Sequence, residues 1–76
     1  MNPKLPVVTG DDVARVARRL GFELRRQKGS HAIYVRSSDG ARKIIPIHSG
    51  RELKRRTLRG IIEDLRLSVE EFRERL

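Results

Sequence analysis

Phe22-Glu23-Leu24-Arg25-Arg26-Gln27-Lys28-Gly29-Ser30-His31-Ala32-Ile33-Tyr34-Val35-Arg36 reads as two short strands joined by a glycine turn. Phe22 to Gln27 alternates at its start, which predicts a strand with Phe22 and Leu24 inward. Lys28-Gly29-Ser30 is the turn, where Gly29 takes a positive φ at little cost. His31 to Arg36 is the second strand, and its register is open. His31, Ile33 and Val35 share one face, while Ala32 and Tyr34 share the other. Ser37-Ser38-Asp39-Gly40 carries an Asp-Gly signal that closes a second hairpin. Arg42 to Ile47 then forms a third strand. Pro46 has no amide hydrogen for a ladder, so it puts this strand at a sheet edge or ends it.

Toward the N-terminus, Thr9 and Asp12 are spaced as a capping box, and Asp11 and Asp12 suit the positive end of a helix dipole. Val13, Val16, Ala17 and Leu20 follow as one apolar helical stripe, and Gly21 closes the helix. Arg15, Arg18 and Arg19 lie off that stripe and read first as a solvated face, with Asp11 pairing Arg15. Residues 1–8 hold two prolines and form an extended lead-in, with Leu5, Val7 and Val8 placed to tack onto the core.

Toward the C-terminus, the loop His48-Ser49-Gly50 leads into a cationic block: Arg51, Lys54, Arg55, Arg56 and Arg59, with Glu52 as its one acid. Leu58, Ile61, Ile62 and Leu65 form the next helical stripe. A start between Lys54 and Thr57 fits it better than the capping-box spacing of Ser49 and Glu52. That start puts cations at the positive end of the dipole, costing a few tenths to about 1 kcal/mol each. Repeated acceptance of that cost points to an external anion. Ser68 and Glu71 are spaced as a second capping box, opening a short helix with Phe72 and Leu76 inward. The expected fold is α+β: a two-layer sandwich in the order α-β-β-β-α plus a short C-terminal helix, helices on one sheet face.

The chain has 76 residues, one domain's worth, with a core that buries only about 60% of the unfolded surface. It has no cysteine, so neither a disulfide nor a thiolate metal site is possible, which suits a reducing cytoplasm. No apolar run approaches a membrane span or a signal-peptide core, so neither membrane nor export is expected. Net charge is +8. Up to residue 62 there are 15 basic and 5 acidic residues, and from 63 onward 3 and 5, so the excess belongs to the folded body. Such a body favours polyanions, of which nucleic acid is the commonest.

With two histidines and many cations, the available chemistry is proton transfer beside anion binding. RNA needs both, because its 2′-hydroxyl attacks the adjacent phosphorus once deprotonated. Histidine suits proton transfer near neutrality, while lysine and arginine steady phosphoryl oxygens. His31 stands beside Lys28 in the turn, with Arg25 and Arg26 on the incoming strand. On composition alone, His31 reads first as a polar residue filling a hairpin end. His48 reads as an exposed loop residue or an RNA contact. Gly29 is conformational, its amide a possible phosphate donor, and Ser30 either meets a phosphate oxygen or caps the turn. Lys28-Gly29-Ser30 lacks the upstream glycine of a phosphate loop, and two histidines seventeen positions apart make a poor zinc site. Ser30 and His31, adjacent on a strand, point to opposite faces and form no nucleophile–base pair.

Five segments in order resemble the HicA family of toxins from HicA–HicB pairs: Val8-Thr9-Gly10, Leu20-Gly21-Phe22, Lys28-Gly29-Ser30-His31, Ile45-Pro46-Ile47-His48 and Leu53…Thr57-Leu58…Ile61-Ile62. The resemblance spans about residues 4–65 as the core, with 66–76 as a short terminal helix. It implies a fold like a double-stranded-RNA-binding domain and a cytoplasmic, metal-independent ribonuclease that cuts mRNA without a cofactor. It also implies a monomer when free and a hetero-oligomer with a HicB-like antitoxin. The family's active histidine falls on His31, which turns the bland reading into a catalytic one. Lys28, Gly29, Ser30, Arg25, Arg26, His48, Lys54, Arg55 and Arg56 are the expected RNA contacts. Two positions depart from the family pattern: Ala32 stands where a second histidine is frequent, and Ile47 separates Pro46 from His48. A non-catalytic RNA-binding module and a partner-binding structural protein are the alternatives.

Overall fold

A computed structural model describes residues 4–76; Met1 to Pro3 of the expected lead-in lie outside the described residues. Thr9 opens helix α1 (Gly10–Arg19) through the expected capping box. The Thr9 amide donates to the Asp12 carboxylate at 2.9 Å, and the Asp12 amide donates to the Thr9 hydroxyl at 3.2 Å. Asp12, rather than Asp11, pairs with Arg15, at 2.7 Å. The box already holds that carboxylate within reach of a residue three positions on. Gly21, at φ 94°, ends the helix as expected.

Strands β1 (Glu23–Lys28), β2 (His31–Arg36) and β3 (Ala41–Pro46) form an antiparallel sheet in that order. The open register of β2 resolves with Ala32 and Tyr34 inward, against buried Ile45. Arg18 of α1 makes that possible by donating to the Tyr34 hydroxyl at 3.3 Å, so the buried phenol keeps a partner. Pro46 ends β3, an edge strand, as the missing amide requires. Phe22, just before β1, is fully buried under the Arg36 guanidinium, 4.6 Å from its ring centroid. Leu24, expected inward, is 45% exposed. It lies opposite Tyr34 on the outer edge strand, every residue of which is exposed.

Helix α2 (Arg55–Asp64) begins within the expected range, with Lys54 as N-cap. The alternative start at Ser49 is displaced by a turn in which Arg51 N–H donates to the His48 carbonyl at 2.8 Å. Glu52 bridges to Thr9, and Leu53 N–H donates to the Val8 carbonyl at 2.8 Å, latching the approaches to α1 and α2 together. This latch also packs Leu53, off the α2 stripe, against the core. In the lead-in, Leu5 and Val8 are buried, but Val7 is 73% exposed and does not tack on. Helix α3 (Val69–Glu74) opens with the expected Ser68–Glu71 box. It inserts a fully buried Phe72 into the same core as Val13, Val16, Phe22, Leu58 and Ile62. That core therefore runs past residue 65. The whole is a three-stranded sheet with a helical layer, laid out like a double-stranded-RNA-binding domain.

Gly10 sets how closely the two layers meet. A Cβ there would lie 2.1 Å from the Pro46 carbonyl oxygen and 3.1 Å from the Ile47 Cα. Both obstacles are backbone, so neither swings aside. Gly10→Ala should lower stability by about 1–3 kcal/mol in urea titration, the usual range for overpacking. A loss below about 0.5 kcal/mol would contradict this packing.

Three carboxyls are held below their usual range: Asp12 by the Thr9 amide, Asp39 by the Arg36 guanidinium, and Glu71 by the Ser68 amide. For Asp39 the pKa falls to about 2. The unfolded chain binds protons on these groups more readily, so their stabilisation is present above the unfolded carboxyl range, about pH 4. It is lost as pH falls through the folded values. Thermal melting should hold level from about pH 7 to 5 and decline below about pH 4, less steeply in Asp39→Asn. A flat profile down to pH 2 would contradict it.

Candidate active site

Lys28 and His31 face one another directly across a two-residue turn, Gly29-Ser30. Gly29 has φ 59°, the glycine position of a II′ hairpin. The turn is fastened from two sides. Gln27 Nε2 donates to the Gly29 carbonyl at 3.2 Å, and Ile47 N–H donates to the Ser30 carbonyl at 2.6 Å. His31 thus opens β2 at a rigid point, and its side chain is exposed. Neither the His31 ring nor the Lys28 ammonium makes a hydrogen bond or ion pair with any described residue.

The sheet surface around His31 depends on an irregularity. Between Leu24 and Arg26 the pairing of β1 with β2 skips Arg25. Without that bulge, Arg26 and Lys28 would share the face of Leu24, turned toward the helices. With it, they join His31 on the open face. The register lays that face out in ranks: Lys28, His31 and Pro46; then Arg26, Ile33 and Ile44; then Glu23, Val35 and Arg42. Arg25 itself is exposed at the bulge, outside the ranks.

Pro46 also joins the hairpin end to the second basic region. It pairs with His31 and lines a groove of about 390 Å³ that holds His48, Arg51 and Lys54. Exposed Arg55 and Arg56 follow in the first turn of α2, where Lys54 makes no side-chain cap and no acid is present. Backbone amides at that helix end therefore lack side-chain acceptors and stand among cations, a favourable setting for phosphate oxygens. The arginines of α1 differ, since Arg15 is paired with Asp12 and Arg18 with Tyr34. Sequence reasoning named Arg25, Arg26, Lys28, Lys54, Arg55 and Arg56 but missed the bulge, which no residue type in Leu24-Arg25-Arg26 signals. It also missed Arg42 and Ile44 as part of the face.

A family model described as the HicA toxin of bacterial toxin–antitoxin systems matches residues 10–67. The chain belongs to the HicA toxin family. It is therefore the toxin member of a toxin–antitoxin pair, and the family implies an antitoxin partner. The match begins at Gly10, the closely packed glycine of α1, and runs through the hairpin and all of α2. A search of curated proteins gave no match. Among the described residues, no helix of this HicA chain is long and apolar enough to cross a membrane. Among the same residues, no three of His, Cys, Asp or Glu gather as metal ligands.

The bulge makes a prediction that charge counting does not. Arg26→Ala and Lys28→Ala should each weaken binding to an uncleavable RNA and reduce the salt slope by about 0.7 to 1. Arg25→Ala should do markedly less, measured by fluorescence anisotropy from 50 to 200 mM salt. Equal effects from all three would show that the bulge does not decide which of these cations matter.

Proposed function

We propose that this HicA chain is a metal-independent endoribonuclease that cuts mRNA with His31 as its acid–base group and is restrained by a HicB-like antitoxin. The observation that carries this reading is the free His31 imidazole at the start of β2, with Lys28 across from it and Arg26 one rank behind. The family assignment adds that the protein is a toxin, which needs a cellular target.

In the proposed reaction the His31 imidazole takes the proton of a ribose 2′-hydroxyl. The 2′-oxygen forms a bond to the adjacent phosphorus as the bond to the 5′-oxygen breaks. The 5′-oxygen receives a proton from the imidazolium or from water. The products are a 2′,3′-cyclic phosphate and a 5′-hydroxyl. Lys28 and Arg26 supply positive charge where it builds on the phosphoryl oxygens. Because the nucleophile belongs to the substrate, no metal-activated water is required. Flanking phosphates lie along Lys54, Arg55 and Arg56, with His48 in the groove between. Gly29 and Ser30 set the hairpin geometry and offer amide and hydroxyl contacts, and Arg25 adds charge beside the face. We place the activity in the cytoplasm, with the toxin monomeric until the antitoxin binds.

One imidazole contributes about 10²–10⁴-fold by general acid–base catalysis. His31→Ala should therefore lose that much cleavage while keeping RNA affinity within about twofold, and cells expressing it should escape growth arrest. Unchanged cleavage in the variant would contradict the mechanism, as would cleavage that stops with a chelator. The uncapped, cationic start of α2 favours one other reading, a non-catalytic RNA-binding module. Binding without cleavage by the unmodified protein, with its salt slope intact, would select that reading.

A further inference from the structure

The groove beside Pro46 holds a residue that the proposed chemistry leaves idle. Glu52 lines it together with His48, Arg51 and Leu53, and is the one acid of the cationic block. Among the described residues the ion pairs are Arg15 with Asp12 and Arg36 with Asp39. The Glu52 carboxylate is therefore unpaired, although Arg51 and Lys54 share its groove. Its backbone, by contrast, is pinned. Glu52 bridges to Thr9, Leu53 N–H donates to the Val8 carbonyl at 2.8 Å, and Arg51 N–H donates to the His48 carbonyl at 2.8 Å. A free carboxylate on a fixed support, in a groove of about 390 Å³, is a prepared acceptor for a ligand with N–H donors. It repels phosphate, so the RNA backbone is not what it receives.

We propose that this groove receives an unpaired guanine base of the RNA, read by Glu52 and Arg51. The inference rests on the ribonuclease reading for its substrate and adds a choice of sequence to it. The Watson–Crick edge of guanine presents two adjacent donors, N1–H and the N2 amine, beside the O6 acceptor. A carboxylate accepts from both donors at once, and a guanidinium donates to O6. Adenine and cytosine each set one amine beside a ring-nitrogen lone pair, which a carboxylate repels. Uracil flanks its one N–H with two carbonyls, with the same result. Pro46 and Leu53 supply apolar wall, and the His48 imidazole supplies a flat face on which a base stacks. His48 thereby has a role that needs no proton transfer.

Register fixes which base this is. Pro46 lines the groove and pairs with His31 across β2 and β3, so the groove and the proposed acid–base group meet at one residue. A base in the groove belongs to a nucleotide adjoining the phosphate at His31. The edge that Glu52 reads is the pairing edge, so only single-stranded RNA offers it.

The test uses the unmodified chain and Glu52→Gln on short labelled oligoadenylates carrying one guanosine, one inosine or neither. The guanosine substrate should be cut at one fixed side of that nucleotide. Its kcat/KM should exceed that of plain oligoadenylate by about 10-fold or more, the scale of one bidentate base contact. Inosine, which lacks the N2 amine, should fall between. Glu52→Gln, altered at an exposed side chain, should melt as the unmodified protein does and still cut oligoadenylate, but lose most of the guanosine preference. Annealing a strand that pairs the guanosine with cytidine should remove the preference too. Equal cutting of all three substrates by the unmodified chain would overturn the proposal and leave the ribonuclease reading standing. So would a Glu52→Gln variant that binds every oligonucleotide more tightly with its preference intact, which marks Glu52 as a solvated charge. Binding is read separately, by fluorescence anisotropy on the same sequences blocked by 2′-deoxy substitution. A guanosine preference there that Glu52→Gln abolishes, with no substrate cut, would sink the ribonuclease reading and keep this one. Binding of guanosine monophosphate at Glu52, with no preference among the oligonucleotides, would overturn the proposal in favour of a free nucleotide.

Discussion

Ala32 packs opposite Ile45 beneath the helical layer, both essentially without solvent exposure, and this one cross-strand pair sets the parity of the sheet. Strand side chains alternate, so burying Ala32 and Tyr34 sends His31, Ile33 and Val35 to the other side. A slip of one residue would bury the histidine and expose the tyrosine. Two devices hold the choice: the Arg18 guanidinium satisfying the Tyr34 hydroxyl, and Gly10 letting α1 press onto the end of β3. The position of the histidine is thus a consequence of how the core closes, far more than of anything in the turn that carries it.

The bulge at Arg25 is the second determinant, and it acts on charge rather than on packing. It converts a basic strand whose cations would be divided between the faces into one that sends Arg26 and Lys28 to the side of His31. The cost is one unpaired residue on an edge strand, where bulges are tolerated. Leu24 lies on the near side of the irregularity and is left over the rim of the helical layer, half exposed. The placement of the cations and the exposure of Leu24 both belong to the edge strand β1.

Elements with a strong local signature could be read from the chain alone. Thr9 with Asp12 and Ser68 with Glu71 form their capping boxes, and Gly21 and Gly40 take the positive φ their turns require. Pro46 ends an edge strand. What could not be read depends on contacts between distant segments. The parity of β2 is ambiguous because Ile33 and Val35 are more apolar than Ala32 and Tyr34. The Arg18 hydrogen bond to Tyr34 and the buried pairing of Ala32 with Ile45 go with the opposite choice. Leu24 misleads for the same reason, since alternation does not reveal where the helices stop covering the sheet. The importance of Gly10 is invisible until the Pro46 carbonyl is seen beside it. Within the site, the residue types were legible, whereas their grouping on one face required the bulge.

The proposed cleavage requires RNA to lie across the hairpin end and the start of α2. Amide chemical-shift mapping with an oligoribonucleotide blocked by 2′-deoxy substitution examines that without requiring turnover. Shifts should concentrate at Arg26, Lys28 and His31 and at Lys54 to Arg56, with α1 unaffected. Shifts confined to the α1 face of Arg15, Arg18 and Arg19, with the hairpin silent, would contradict it.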